Sequence, residues 1–229
     1  MCQYSSEDGF ANDWHLVHLG SFAVGGAGLV IAEATAVQAN GRISPQDMGI
    51  WQDAHVEPLA RLATFIHAQG SAAGIQLAHA GRKASTHRPW SGRGLVTPGE
   101  GGWLDVVGPS AVPFDDTYPT PTALDAAGIG AVIDAFAAAA SRAWEAGFRV
   151  VEIHAAHGYL LHEFLSPLSN VREDRYGGTF DNRCRLTLDV VRAVRSLWPE
   201  HAPVFVRVSA TYWADGGWNL EECVDLARR

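Results

Sequence analysis

Two histidines and a tyrosine follow an apolar run near the middle of the second half of the chain. The run spans residues 148–153, and His154, His157 and Tyr159 come directly after it in the sequence HAAHGY. Such a run is typical of a buried parallel strand, so these side chains should gather at its carboxyl end. Two imidazoles that donate hydrogen bonds and a phenol that releases a proton suit one kind of reaction. In it, a carbonyl oxygen gains negative charge while a nearby carbon needs a proton.

The same histidines have a second interpretation, as metal ligands. His79 could join His154 and His157 around a metal ion, as in a barrel hydrolase. The HxxH spacing differs from the HExxH motif of metalloproteases, and no aspartate ends a strand where it could complete the ligand set. Metal binding is therefore the weaker alternative, whereas carbonyl binding and a purely structural hydrogen-bonding role both stay open.

Composition places the chain among globular proteins and argues against several partners. Of 229 residues, 47% are hydrophobic and 18% are charged, which suits one domain over residues 1–229 or part of a larger one. A net charge of −8 without a basic stripe argues against nucleic acid, and no apolar run is long enough to predict a membrane span. Cys2, Cys184 and Cys223 form no CxxC pair, which favours a reduced cytoplasmic location.

Short apolar runs alternate with longer segments in which apolar residues recur at helical spacing. This βα rhythm predicts parallel strands at residues 29–34, 72–77, 150–154 and 204–208, with residues 1–4 as the tail of an earlier strand. Helices are predicted at residues 13–26, 53–69, 124–145, 182–198 and 220–229. Gly26, Gly70 and Gly147 stand where glycines commonly end a helix.

The connections that leave the strands are much longer than those that enter them. They span residues 35–52, 78–123 and 155–181 and include ten of the 23 His, Tyr and Trp residues. In α/β barrels the loops after the strands form the face that carries chemistry, which predicts a TIM-type (β/α)8 barrel. A doubly wound sheet is the competing fold, but no GxGxxG turn follows the first strand.

The number of strands falls short of a whole barrel. Four strands and a fragment make about five of the eight βα units, so we expect an incomplete barrel. The first residues lie in a predicted strand and the last, LEECVDLARR, in a predicted helix. This pattern indicates a chain cut at both ends, without its N-terminal start and its C-terminal third.

Several motifs resemble the Old Yellow Enzyme family of flavin-dependent ene-reductases. They are HAAHGYLLHEFLSPLSNVREDRYGG at 154–178, QLAHAGRKA at 76–84, EATAVQANGRIS at 33–44 and FVRVSA at 205–210. The opening MCQYSS resembles the thermophilic-like class, in which a cysteine lies near the flavin. The resemblance covers essentially the whole chain.

The resemblance implies an FMN cofactor across the mouth of the barrel and NADPH or NADH as its reductant. His154 and His157 would bind the carbonyl oxygen of an enone-type substrate, and Tyr159 would protonate its α-carbon. Arg207 would face the flavin N1/O2 edge, Gln76 its pyrimidine edge and the Ala34 backbone its O4/N5 region. Cys2 would modulate the flavin potential, and Tyr4 would border the substrate pocket.

The resemblance also implies a homo-oligomer for the full-length protein, and it raises a question about cofactor retention. Barrels that bind phosphate hold it with loops after strands 7 and 8, which this chain does not reach, so we expect weak FMN binding by the chain alone. The alternative function is a non-catalytic barrel fragment that serves as a binding or assembly module.

Two loop segments are expected to shape the site rather than to take part in catalysis. Asn170, Arg172, Asp174 and Arg175 are expected to form a polar network that fixes a loop, with Arg183 as a further member. The segment at residues 87–108 is a candidate lid or subunit contact, and its Trp90 and Trp103 are candidates to line the pocket.

Overall fold

The apolar runs pair into one parallel sheet in the computed structural model, which describes residues 1–229. The strands in chain order are β1 (Leu29–Ala36), β2 (Ala72–Ala78), β3 (Val107–Gly108), β4 (Thr122–Ala123), β5 (Val150–Ala155) and β6 (Val204–Val208). The sheet has the order β1-β2-β5-β6, and β3 pairs with β4 separately. The predicted partial α/β barrel is confirmed, with four strands in its sheet.

Helices supply the crossovers that parallel strands require. In chain order they are α1 (Asp13–Val24), α2 (Val56–Ala68), α3 (Ala126–Glu145), α4 (Leu160–Leu165), α5 (Phe180–Leu197) and α6 (Leu220–Ala227). Gly26, Gly70 and Gly147 follow three of these helices with φ values of +86°, +85° and +97°. These left-handed conformations close a helix, so the predicted helix ends are confirmed.

A side-chain cap and a 3-10 turn explain where α5 and α2 begin. The Thr179 side chain accepts the backbone N–H of Asn182, so α5 begins at Phe180, ahead of the predicted start. Asp53–His55 forms a short 3-10 turn, and α2 begins only after it. The hydroxyl cap satisfies an amide that would otherwise lack a partner at the helix start.

The prediction of a strand at residues 1–4 is wrong. The backbone N–H of Gln3 donates to the Glu33 side chain at 2.8 Å rather than to a neighbouring strand. Tyr4 has φ of +51°, which lies outside the β region. Without a strand beside it, this segment takes its shape from single contacts with β1.

The long loops contain short elements that the sequence did not predict. Helix α4 lies inside the predicted loop at 155–181, and β3 and β4 lie inside the one at 78–123. All six residues of α4 are buried. A helix of six residues that is buried on every side shows no apolar stripe at helical spacing, which explains why it escaped prediction.

The longest helix, α3, packs in the core of the domain. By length and composition alone it could cross a membrane. Its Ile129, Val132 and Phe136 are buried in the main apolar cluster, together with Phe148 just before β5. Core helices pass the same compositional test, and one face of α3 is buried in this cluster.

The opposite face of the sheet, here called the inner face, carries polar side chains in register. Gln76 of β2 lies beside Glu152 of β5, and His154 of β5 lies beside Arg207 of β6. Alternate residues of a strand share a face, so these four side chains project to the same side. A bulge at Glu33 shifts the register of β1 so that Ala34 joins them beside Gln76.

Candidate active site

The turn after β5 brings His154, His157 and Tyr159 together. The His154 ring lies 5.0 Å from the His157 ring and 5.3 Å from the Tyr159 ring, between centroids. The backbone N–H of His157 donates to Ser209 Oγ at 2.9 Å, and its carbonyl accepts from Lys83 Nζ at 2.8 Å. These two bonds hold His157 in a left-handed conformation, with φ of +61°. The convergence predicted from HAAHGY is therefore present, and neighbouring loops fix it.

Both imidazoles are held neutral by their surroundings. Burial lowers the pKa of His154 to about 3, helped by the nearby His157 and the positive charge of Arg207. Burial, Arg207 and Lys83 also lower the pKa of His157. His154 is 3% exposed, and its Nδ1 has no hydrogen-bond partner. A neutral imidazole still offers one N–H donor, so this pair can bind an oxygen without carrying charge.

The phenol of Tyr159 is protonated at neutral pH. Burial raises its pKa, and the neighbouring Cys2 and Tyr4 raise it further. Tyr159 lines a small cavity of about 10 Å³, shared with Ala34 and Asp47 among other residues. A phenol in this state can release a proton only to a strongly basic neighbour.

Arg207 and Gln76 lie on the inner face as expected, but only the Gln76 side chain is held by a hydrogen bond. Arg207 is exposed at the sheet edge and forms no hydrogen bond or ion pair. The Gln76 amide donates to Glu152 Oε1 at 2.5 Å, which leaves its own oxygen free to accept. Sequence reasoning did not include Glu152, because an acid inside the run VVEIH resembles an interruption of the strand more than a partner of Gln76.

The N-terminal segment places Cys2 beside β1. Burial, Asp47 and Glu33 raise the pKa of the Cys2 thiol, while a backbone hydrogen bond from Ala34 acts in the opposite direction. Cys2 is therefore a thiol rather than a thiolate, close to the backbone of Ala34. Burial also raises the pKa of Glu33 to about 7.

Tyr4 lies at the rim of the site and contacts the segment at residues 87–108. Its ring meets the Trp90 ring edge to face, with 5.7 Å between centroids. Trp103 instead donates from Nε1 to the Asn40 carbonyl and packs against the Arg42 guanidinium, 4.7 Å from the ring centroid. Of the two candidate tryptophans, Trp90 borders the rim through Tyr4 and Trp103 fixes the loop.

Sequence reasoning missed three neighbours of the candidate site because they meet it only in three dimensions. Lys83, the single lysine among the 17 basic residues, reaches the His157 carbonyl from the loop after β2. Asp47 is fully enclosed, and it accepts from the Ile43 and Ser44 backbone and the Ser44 hydroxyl. Glu163 lies behind Tyr159 in α4 without any exposed surface. No spacing rule links positions so distant in sequence.

His79 does not join the other histidines around a metal ion. Its Nδ1 accepts the backbone N–H of Gly81 at 3.0 Å, and its ring packs against Gly41. No group of three or more His, Cys, Asp or Glu side chains is arranged to hold a metal ion. The ring therefore serves to shape the loop after β2.

The predicted polar network in the loop after α4 is largely present. Asn170 donates to the Phe164 and Tyr176 carbonyls at 2.8 Å each. Arg172 bonds Asp174 through two nitrogens, and also the Pro109 and Leu124 carbonyls. Arg175 stacks on the Tyr176 ring instead of joining these bonds, and Arg183 binds the Leu165 and Gly178 carbonyls and Glu222. The network fixes the loop, with Arg175 outside it.

Known proteins are similar to this chain in sequence and in fold. The chain is 51% identical over 230 residues to an NADPH dehydrogenase of Listeria innocua, and it spans 63% of that relative's length. A structure of morphinone reductase in complex with tetrahydroNAD matches with a TM-score of 0.81 and 28% identity, covering all of this chain and 65% of that one. An Old Yellow Enzyme from Pichia sp. AKU4542 matches with a TM-score of 0.81 and 27% identity over 96% of this chain and 57% of the other. The model of the NADH:flavin oxidoreductase / NADH oxidase family matches residues 1–227, and the chain belongs to this family.

Proposed function

We propose that the protein is an FMN-dependent ene-reductase. NADPH or NADH is the reductant, and the C=C bond of an α,β-unsaturated carbonyl compound is reduced. The observation that carries the proposal is the meeting of His154, His157 and Tyr159 beside Arg207 on the inner face. Relatives named NADPH dehydrogenase and a similar structure holding tetrahydroNAD support a nicotinamide reductant.

The inner face fits a flat, polar-edged cofactor such as the flavin ring. Arg207 offers a cation that no acid neutralises, and His154 offers a buried nitrogen without a partner. Ala34, which lies beside Gln76 at the bulge of β1, adds only a small side chain to this face. Arg207 would hold the N1/O2 edge and Gln76 the pyrimidine edge, because a guanidinium that stays charged stabilises negative charge there. When bound, FMN supplies the hydride chemistry that joins oxidation of NAD(P)H to reduction of the alkene.

His154 and His157 bind and polarise the substrate carbonyl in this proposal. Their neutral state lets each donate one N–H to the same oxygen without forming a fixed ion pair with it. Donors aimed at an oxygen that gains charge typically lower the reaction barrier by about 2.7 to 4 kcal/mol each. The left-handed His157 backbone, fixed by Ser209 and Lys83, sets the direction of one donor before substrate arrives.

Tyr159 donates the proton that completes the reduction. The substrate gains a hydride at the β-carbon and the Tyr159 proton at the α-carbon, so one equivalent of H₂ is added across the C=C bond. Burial keeps the phenol protonated until a carbanion-like centre forms beside it. Solvent must then return the proton, which the partial exposure of Tyr159 permits.

Replacing Tyr159 with Phe tests the proposal by separating the two half-reactions. In anaerobic stopped-flow, bleaching of the flavin by NADPH should stay within about three-fold of wild type, because no phenol proton is needed. Reoxidation by 2-cyclohexenone should slow by about 10²- to 10⁴-fold, the usual contribution of a general acid.

Tyr176→Phe is the matched control, because its ring packs on Phe164 away from the inner face. It should leave both half-reactions unchanged. Equal losses in the two half-reactions of Tyr159→Phe would contradict the acid role. Purified protein that shows no flavin absorbance after incubation with FMN would contradict the proposed function itself.

A further inference from the structure

The carboxyl group of Glu163 is fully buried and has no ion-pair partner. Glu163 belongs to α4, the helix that follows Tyr159 in the chain, and its exposure is 0%. Its Oε1 accepts the backbone N–H of Arg82 at 2.9 Å, while Oε2 has no hydrogen-bond partner. Burying a carboxyl group without a full set of hydrogen bonds costs free energy, so the contacts that this one does make are informative.

The carboxyl fills the space between two loops that meet behind the site. A Cβ atom at Gly81 would lie 2.2 Å from Oε1, and one at Gly108 would lie 3.3 Å from Oε2. Only glycine fits at position 81, which also has φ of +61°. The Arg82 side chain turns away, to the Val112 and Pro113 carbonyls and the Tyr212 hydroxyl. Glu163 therefore binds the backbone of the Gly81–Lys83 turn and not the Arg82 guanidinium.

That turn carries the one lysine of the chain to the candidate active site. Lys83 Nζ donates to the His157 carbonyl at 2.8 Å and lies 5.4 Å from the Tyr159 ring centroid. On the other side, the backbone N–H of Glu163 donates to the Tyr159 carbonyl at 2.8 Å. Contacts thus run from Tyr159 through Glu163 and the Gly81–Lys83 turn to the Lys83 side chain and His157, which precedes Tyr159 by two residues.

We infer that Glu163 is a positioning residue that acts through Lys83. By fixing the Gly81–Lys83 turn it holds the Lys83 ammonium against the His157 carbonyl, and so sets the geometry of His157 relative to Tyr159. The effect on catalysis rests on the proposed ene-reductase function, whereas the effect on Lys83 does not. Burial raises the pKa of Glu163 to about 8, and the charges of Arg82 and Lys83 act against that rise.

The first test reads the position of Lys83 without any reaction at the site. Because the chain has a single lysine, acylation of its ε-amine can be followed by peptide mass spectrometry, with the N-terminal amine as the internal reference. Glu163→Ala should raise the Lys83 acylation rate at least five-fold over wild type, because the turn is no longer held. Glu163→Gln keeps the oxygen that accepts from Arg82 and should stay within about two-fold.

The second test asks whether the two residues act as one unit on the reaction. The alkene half-reaction should slow at least ten-fold in Glu163→Ala and in Lys83→Met, and the double variant should be no slower than the slower single one. Residues in one network show such non-additive effects, whereas independent structural losses add. Glu173→Ala, which removes an exposed acid from the loop after α4, is the control and should match wild type.

Outcomes separate this inference from the proposed function. Unchanged Lys83 acylation in a folded Glu163→Ala protein, or additive rate losses in the double variant, would overturn the positioning role. If Glu163→Ala does not fold, the alkene half-reaction of Lys83→Met decides. Lys83→Met should then slow the alkene half-reaction at least ten-fold, and a rate equal to wild type refutes the inference. If acylation changes as expected but Tyr159→Phe loses both half-reactions equally, the positioning role stands and the proposed chemistry does not.

Discussion

Strands β5 and β6 are hydrogen-bonded neighbours that carry adjacent parts of the candidate site in opposite environments. His154 of β5 is 3% exposed, while Arg207, its register partner on β6, is exposed. β5 has a strand on each side within the described chain, whereas β6 has one only towards β5. The candidate site is thus enclosed by this chain at His154, whereas Arg207 is positioned by its strand without being enclosed.

The difference shows how burial and neighbouring charges together determine the protonation of a site residue. His154 has a strongly lowered pKa because burial removes water and because Arg207 and His157 lie beside it. Arg207 contributes to that shift from across the register and receives no compensating bond in return. Enclosure therefore tunes the imidazole, while the guanidinium keeps its hydrogen-bonding capacity for a ligand.

The largest expected difference between the two strands is in stability. Ile153 of β5 is fully buried, and its register partner Val206 of β6 is 40% exposed. Ile153→Ala should lower the free energy of unfolding by about 2 to 5 kcal/mol, whereas Val206→Ala should cost about 1 kcal/mol or less. Urea denaturation of both variants measures this. Similar losses would mean that β6 is as well packed as β5 in solution.

The next effect concerns cofactor affinity and depends on the proposed function. Arg207→Gln should weaken FMN binding by about 10- to 100-fold, since a hydrogen bond from a charged donor typically contributes about 1.5 to 3 kcal/mol. Fluorescence titration with FMN measures the change. Arg149→Gln is the matched control, because Arg149 stacks on Trp144 outside the inner face. Equal weakening in both variants would show that general charge, rather than the inner face, binds the cofactor.

A further effect should appear in the pH dependence of stability. The His154 pKa in the folded protein is about 3, below the ordinary value of 6.5, so the folded state disfavours the proton. The contribution of the neutral His154 imidazole to the free energy of unfolding is complete above about pH 6.5. It is lost as the pH falls towards 3, by up to about 1.4 kcal/mol per pH unit. His154→Gln should therefore lose stability less steeply than wild type between pH 6 and pH 4.

The difference between the two proteins isolates His154 from other titrating groups. Buried acids with raised pKa values, such as Glu33 and Asp47, are present in both proteins and cancel in the subtraction. Val206→Ala on β6 is the control, and its slope should equal that of wild type. A slope unchanged in His154→Gln would show that the imidazole is not held neutral.

The sequence was sufficient for features set by local chemistry. The βα rhythm and the glycines at 26, 70 and 147 predicted the strands and helix ends, because apolar runs and left-handed caps are properties of neighbouring residues. The meeting of His154, His157 and Tyr159 was also predictable, since six residues contain all three. The prediction of a strand at residues 1–4 failed because four residues cannot show whether a partner strand lies beside them.

Contacts between distant segments could not be predicted in the same way. Lys83 and His157 are 74 residues apart, and Arg82 and Glu163 are 81 apart. Their contacts depend on the register of β2 against β5, which the hydrophobic pattern leaves free by steps of two residues. Glu163 also occurs in a segment that reads as a loop, and a single acid there carries no sign of burial.

The smallest expected effect on stability is at Phe205, the β6 residue that is 43% exposed on the inner face. Phe205→Lys should change the free energy of unfolding of the 229-residue chain by no more than about 0.5 kcal/mol, because little apolar contact is lost. It should also reduce self-association, since a lysine on an open strand edge opposes pairing with another chain. Light scattering over a range of concentrations measures the association. A large loss of stability would instead mean that Phe205 is covered in solution, and β6 would then resemble β5 more closely than its exposure in this chain indicates.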